Sequence, residues 1–261
     1  MFNFFKVQEV SHESKEIKLA KDFQNIPNIS KYFKKNTGID FDDQEVIFKS
    51  RITSFCRAHK ISSFSSCLKL IYIDQELRQE LTDYLTTNES FFYREFHQIE
   101  KLVQKVQSSC KNVKILCAPS AQGEEPYSIA IALLTAGVKP SQFHITGIDI
   151  SLEAIQRAQT AVYNEKAIRN LSNELRSMYF EKKSESYHLT RKVKNQVTFK
   201  CINIFENEFT QLPNFDYIFS RNMLIYFDTK TRLKAQKLFT SHFVDANTEI
   251  YYGHADLTHM H

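Results

Sequence analysis

The chain has 261 residues, 42% hydrophobic and 25% charged, with only five glycines and five prolines, a composition that excludes fibrous and disordered classes and allows one large or two modest globular domains. A formal charge of +4 and a pI near 8.6 would suit an acidic partner, but fall short of the pI above about 9 with clustered Lys/Arg that marks nucleic-acid binding. The start, MFNFFKVQEV, lacks the basic and apolar regions of a signal peptide, and no stretch approaches the roughly 18 apolar residues of a membrane span.

Five cysteines (Cys56, Cys67, Cys110, Cys117 and Cys201) are scattered without CxxC spacing. They read as reduced structural thiols of a cytoplasmic protein. The histidines at the end, His254, His259 and His261, read as a frayed tail, and no metal is expected.

Residues 1 to about 25 form a charged, weakly patterned lead-in, and from there to about residue 86 the period is helical. Ile29, Tyr32 and Phe33 share one face of a helix that Gly38 ends. Asp42 or Asp43 can cap the next, whose Phe48, Ile52, Phe55 and Cys56 recur at helical spacing. Ser62 or Ser63 opens a third through Phe64, Leu68 and Ile71. Asp74 opens a fourth with Leu77, Leu81, Tyr84 and Leu85 on one stripe. Four short amphipathic helices make a helical domain over residues 1–86. A junction with a linking helix spans 87–112 and a second domain spans 113–261.

Beyond the junction the pattern changes to alternating strands and helices. Val113 to Ala118 is a strand, followed by a helix opened by Pro126 and closed by Gly137. Phe143 to Ile148 is a second strand ending at Asp149, and Ser151 caps a helix that runs to Tyr163. A lysine-rich, poorly patterned stretch reaches about Lys194. Val197 to Ile204 and Phe215 to Ser220 are further strands. Such alternation implies a parallel, doubly wound α/β sheet.

The chemistry concentrates where strands stop. The run Tyr217-Ile218-Phe219 ends at Ser220-Arg221-Asn222, and ligands of open α/β sheets sit at the carboxyl ends of strands. The loop after the first strand, Ser120-Ala121-Gln122-Gly123-Glu124-Glu125-Pro126, is not GxGxxG. Carboxylates at a helix start repel phosphate and welcome an ammonium group. Asp149 lies 26 residues beyond Gly123, near the offset of about 20 at which an acid meets ribose hydroxyls. A ribose, a positively charged amino-acid tail and no phosphate describe S-adenosylmethionine better than NAD or ATP. At the junction, Arg94 sits among Phe91, Phe92, Tyr93 and Phe96, and a guanidinium held there is a candidate clamp for an acidic ligand.

Four blocks, TTNESFFYRE, SAQGEEPYSIAI, ITGIDIS followed by AIQRAQTAVY, and FSRNMLIYFD, occur together with a front half containing GIDFDDQEVIFKSRI. In order and spacing the chain resembles the chemotaxis receptor methyltransferase family, CheR, over residues 27–256. The resemblance implies a class I S-adenosylmethionine-dependent fold carrying an N-terminal helical domain and a small β-subdomain at about residues 165–198. The implied activity is transfer of methyl from S-adenosyl-L-methionine to chemoreceptor glutamates, giving methyl esters and S-adenosyl-L-homocysteine. The implied partner is the cytoplasmic domain of chemoreceptors, with no nucleic acid, no membrane insertion and a monomeric enzyme.

By position, the resemblance places Asn88, Ser90, Arg94, Glu124, Asp149, Asn203, Ile204, Asn222 and Met223 at the cofactor, with Arg94 and Tyr226 orienting the reacting groups. Glu124 falls to the methionine amino group, Asp149 to the ribose, and Asn203-Ile204 to the adenine. The chain departs from the family at Ser90 for Thr, Tyr93 for Phe and Ser120-Ala121-Gln122 for Cys-Ser-Thr. Phe180 to Tyr187, which in some members grips a receptor's C-terminal peptide, contains no glycine. Rival readings are a non-catalytic cofactor-binding sensor that docks on receptors and a methyltransferase for another substrate. The basic residues Lys31, Lys34, Lys35, Lys49, Arg51, Arg57 and Lys60 form either a solvated face or a docking surface for an acidic receptor bundle.

Overall fold

In the first of the two halves, helix follows helix. A computed structural model of the chain describes residues 19–109, 111–242 and 248–258. Cys110, His259, His261 and most of the lead-in fall outside the described residues. Helices α1 (Ile26–Thr37), α2 (Glu45–Ala58), α3 (Phe64–Ile73) and α4 (Gln75–Leu85) pack around Ile29, Phe33, Phe48, Ile52, Phe55 and Phe64. Each such fully buried side chain contributes about 1.5–3 kcal/mol. The side chains of Ser63 and Asp74 accept the amides of Ser66 and Leu77, so both helix starts are fixed by local capping.

Three helical expectations are corrected. Asp42 and Asp43 do not cap α2; they lie in a 3₁₀ turn, where Asp42 pairs with Lys34 instead. Tyr84 is exposed, off the buried stripe, with its ring against Phe55. Lys34 is not part of a free basic face, because Asp40, Asp42 and Asp228 surround its ammonium at 2.7–3.0 Å.

Helix α5 (Phe96–Gln107) leads into the sheet domain. Its elements are β1 (Val113–Cys117), α6 (Glu124–Thr135), β2 (Phe143–Asp149), α7 (Leu152–Thr160) and β3 (Val162–Tyr163). Then come α8 (Asn173–Tyr179), β4 (Phe180–Lys183), β5 (Ser186–Leu189), α9 (Arg191–Lys194) and β6 (Val197–Cys201). The chain continues through α10 (Asn207–Thr210), β7 (Tyr217–Ser220), α11 (Thr229–His242), β8 (Glu249–Tyr252) and α12 (His254–Leu257). Helix α6 opens at Glu124, two residues before Pro126, because Gly123 takes a left-handed φ of 93° as its cap. The helix capped by Ser151 stops at Thr160, where Ala161 turns left-handed, rather than running to Tyr163.

The sheet order is β6-β2-β1-β7-β8 with every pair parallel. The chain builds outward from β1 through β2 to β6, then returns to the other side of β1 with β7. That reversal is a topological switch point, where the crevice beyond the strand ends is open to a ligand. Cys117 lies level with Gly147 of β2 and Phe219 of β7, and Asp149 level with Cys201 of β6. The segments after all four strands therefore emerge on one edge. The lysine-rich stretch that showed little pattern holds a separate antiparallel sheet, β3-β5-β4. Its hairpin turn uses Ser184 at φ 52° where a glycine would be easier.

Candidate active site

A cavity of about 200 Å³ opens at that shared edge, floored by the ends of β1, β2, β6 and β7. The helical domain supplies its roof with Ile39, Phe41, Arg51 and Leu85. Several ties close the roof onto the floor. The amide of Asp40 donates to the Tyr226 carbonyl at 2.8 Å, Asn203 Nδ2 to the Asn36 carbonyl at 2.7 Å, and Lys34 meets Asp228 at 3.0 Å. Gly38 has φ 80°, and a Cβ there would come within 2.4 Å of the Phe205 ring.

Asn88, Ser90, Arg94, Asp149, Asn203, Ile204, Asn222, Met223 and Tyr226 all line this one cavity. Glu124 does not; it lines a second cleft alongside, which Asn88 and Ser90 share. Asp149, 5% exposed, accepts the amides of Ser151 (3.0 Å) and Ala121 (2.9 Å), which pins the β1 loop to the end of β2. Burial nevertheless raises its carboxyl to about 6. Asn88 Nδ2 donates to Ser151 Oγ at 3.2 Å, hooking the junction loop to the start of α7. Glu124 is 3% exposed, and burial pushes it up to about 7. Its Oε2 has no hydrogen-bond partner. The Asn203 amide is committed on both sides, to the Asn36 carbonyl and from the Phe205 amide.

Arg94 sits between Tyr93 and Glu95, both left-handed at φ 59° and 48°. For residues other than glycine that geometry costs about 1–2 kcal/mol each, so the loop is held by its surroundings. The Tyr93 amide donates to Ser128 Oγ at 3.0 Å, and the Phe92 amide to the Ala167 carbonyl at 2.9 Å. The Arg94 guanidinium lies 5.7 Å from the Phe91 ring centre, whose ring also carries Arg169 at 3.7 Å. Burial raises the Tyr226 phenol, opposed by the nearby charges of Arg94 and Arg51, so it is a protonated donor at neutral pH.

Three residues that structure the site went unassigned in the sequence. Arg221, 5% exposed, forms an ion pair with the buried Glu125 at 2.6 Å. It also donates to the Arg94 carbonyl at 2.7 Å. Asp256, fully buried, accepts the amides of Asn222 (2.5 Å) and Gly253 (3.1 Å), bracing Asn222 at its left-handed φ of 59°. Arg221 was visible as part of a polar trio at a strand end and Glu125 as a carboxylate at a helix start, but their pairing was not; Asp256 carried no local signal.

The donor set fits a cationic nucleoside ligand. A buried, unpartnered carboxylate oxygen on Glu124 and the acid at the β2 end suit an ammonium and hydroxyls. Ile39, Ile202, Ile204 and Met223 offer apolar faces for a purine. Among the described residues no cluster could hold a metal ion, and no helix is long and apolar enough to cross a membrane. A parallel five-stranded sheet with such a cavity across its switch point defines a class I S-adenosylmethionine-dependent methyltransferase.

The family model described as the CheR methyltransferase SAM binding domain matches residues 88–261, and the CheR methyltransferase all-alpha domain matches 24–86. The chemotaxis protein methyltransferase of Campylobacter jejuni (strain 81-176) is 32% identical over 228 residues, covering 87% of this chain and 86% of that protein. That of Vibrio parahaemolyticus is 31% identical over 225 residues, 81% of each. That of Borreliella burgdorferi is 27% identical over 256 residues, 92% of this chain and 89% of the relative. The chain belongs to the CheR methyltransferase family.

Proposed function

We propose that this enzyme methylates glutamate side chains on the cytoplasmic part of chemoreceptors, producing glutamate methyl esters. The observation that carries the reading is the convergence of Arg94, Tyr226 and, from the helical domain, Arg51 on the one cavity at the strand ends. A glutamate carboxylate, ionised near its ordinary pKa of about 4.3, needs no general base. When bound, the cofactor supplies a methyl carbon on a positively charged sulfur and leaves as S-adenosyl-L-homocysteine. What remains for the protein is alignment and exclusion of water, which can lower the barrier by roughly 7–11 kcal/mol. Arg94 steers the incoming carboxylate, and the Tyr226 hydroxyl donates to a reacting group. Arg94 must position the acid without quenching its nucleophilicity, so orientation outweighs neutralisation.

In this reading Asp149 takes the ribose hydroxyls and Glu124 the ammonium of the methionine tail. Asn88 and Ser90 line the tail's path, and Asn222-Met223 flank the nucleoside. Because the Asn203 side chain is spent on the roof, the backbone of Asn203-Ile204 is left to meet the purine edge. Incubation with a receptor cytoplasmic fragment and tritiated S-adenosylmethionine tests the whole reading. Base-labile label on receptor glutamates is expected; label stable to base, or none, would overturn it.

The same reading sets a pH dependence. Asp149 and Glu124 rise from 3.8 and 4.5 to about 6 and 7 on folding, so the folded chain holds more protons than the unfolded one between those values. Their contribution to unliganded stability therefore falls as pH rises from about 4 to 7. The ammonium of the amino-acid tail and the ribose hydroxyls favour the ionised carboxyls, so the rise in melting temperature caused by saturating S-adenosylhomocysteine should grow from pH 5.5 to 7.5. Asp149→Asn should weaken that ligand by roughly 10- to 100-fold in calorimetry, equivalent to about 1.5–3 kcal/mol.

Lys31, Lys35, Arg57 and Lys60 are exposed on the helical domain, whereas Arg51 is half-buried and donates to the Leu85 carbonyl at 2.9 Å. We assign the exposed set to docking on an acidic receptor bundle. Binding of the receptor fragment should weaken several-fold between about 50 and 300 mM salt. Affinity indifferent to salt would return these lysines to the solvated surface.

A further inference from the structure

We infer that Arg221, locked by Glu125, is a positioning residue for Arg94: it fixes the stretch of backbone from which the Arg94 guanidinium enters the cavity. The inference rests on the role proposed above for Arg94. Arg221 is the first residue past β7, and almost all of its surface is buried. Its Nε meets Glu125 Oε1 at 2.6 Å on the first turn of α6. The outer fork turns to the junction loop. Nη2 donates to the Arg94 carbonyl at 2.7 Å, while Nη1 reaches the Glu95 carbonyl at 3.4 Å and Gln98 Oε1 at 3.5 Å.

This geometry does something a generic buried ion pair does not. The two carbonyls it grips belong to Arg94 and to one of the two left-handed residues that flank it. A peptide unit held by its carbonyl resists rotation, so Arg221 restrains the backbone from which the Arg94 side chain departs. The other side of the same residue is fixed through the Tyr93 amide on Ser128 Oγ, and Ser128 Oγ donates in turn to the Glu124 carbonyl. Helix α6 thus anchors the loop twice, once directly and once through Arg221. A planar fork can lie against Glu125 through Nε, as an ion pair and not a hydrogen bond, while its outer nitrogens reach the carbonyls; a lysine is a single point.

A double-mutant cycle tests the coupling. Methyl transfer by the full chain to the receptor fragment is measured for Arg221→Lys, which keeps a charge opposite Glu125, and for the apolar pair Glu125→Met with Arg221→Met. Each is made with Arg94 intact and in Arg94→Ala, with melting temperature and S-adenosylhomocysteine affinity followed alongside. With Arg94 present, kcat should fall about ten- to a hundredfold while ligand affinity stays within about twofold. In Arg94→Ala the same changes should cost less than about twofold further. An equal loss in both backgrounds, or wild-type turnover in Arg221→Lys, would overturn the inference. Should the apolar pair not fold, Arg221→Lys decides alone. Wild-type turnover in Arg94→Ala would instead remove the role proposed for Arg94 itself, so the two failures are distinguishable.

Discussion

Arg94→Ala is expected to slow methyl transfer by about a hundredfold, the loss typical when a single preorganised charged or hydrogen-bonding group is taken from a reacting centre. The side chain is half-buried on a cavity wall, and its guanidinium rests near the Phe91 ring rather than within the hydrophobic core. Truncation therefore removes little packing, and the melting temperature should move by only about one or two degrees. The loss should fall on kcat, because an interaction that aligns the carboxylate matters most at the transition state. Single-turnover assays with prebound cofactor isolate that step. Turnover within about threefold of wild type would leave Arg94 without a catalytic role.

The largest expected effect on stability is at Arg221. Arg221→Ala strips the partner from a carboxylate that has almost no access to water, and an uncompensated buried charge costs about 3–5 kcal/mol. Burial already pushes Glu125 upward against the pull of Arg221. Without the guanidinium its pKa in the folded state rises further above the unfolded value, so the folded chain binds the extra proton. Stability of the variant should then fall as pH increases, a larger deficit at pH 8 than at pH 6 in urea melts. The paired change to methionine at both positions leaves no orphan charge and should cost far less. Equal melts for Arg221→Ala and wild type would mean that water reaches Glu125.

Much of the site was legible because its determinants are local. Ser63, Asp74 and Ser151 announced helix starts by their own side chains, and Asp149 and Asn222 stand where an apolar run meets polar residues. The β3-β5-β4 sheet was legible only through the family resemblance, which put a small β-subdomain at about residues 165–198, and not from its own pattern. Its strands are two to four residues long, Glu181, Lys182 and Lys183 face solvent, and the alternation of Ser186–Leu189 is too short to stand out. The pairings of Arg221 with Glu125 and of Asn222 with Asp256 were hidden for a different reason. A buried ion pair and a buried amide acceptor look, in sequence, like any charged surface residues until the fold brings their partners together. Arg221 meets Glu125 across 96 positions, and Asp256 meets Asn222 across 34. Pro126 misled in a smaller way, since the carboxylates ahead of it already belong to the helix.

The cavity at the strand ends borrows its roof from the helical domain, through Ile39, Phe41 and Leu85 above and the Asn203–Asn36 and Lys34–Asp228 ties at the seam. A ligand that touches both roof and floor of this cavity is coupled to the seam reciprocally: whatever free energy its binding adds to the closure of the two domains, closure adds to its retention.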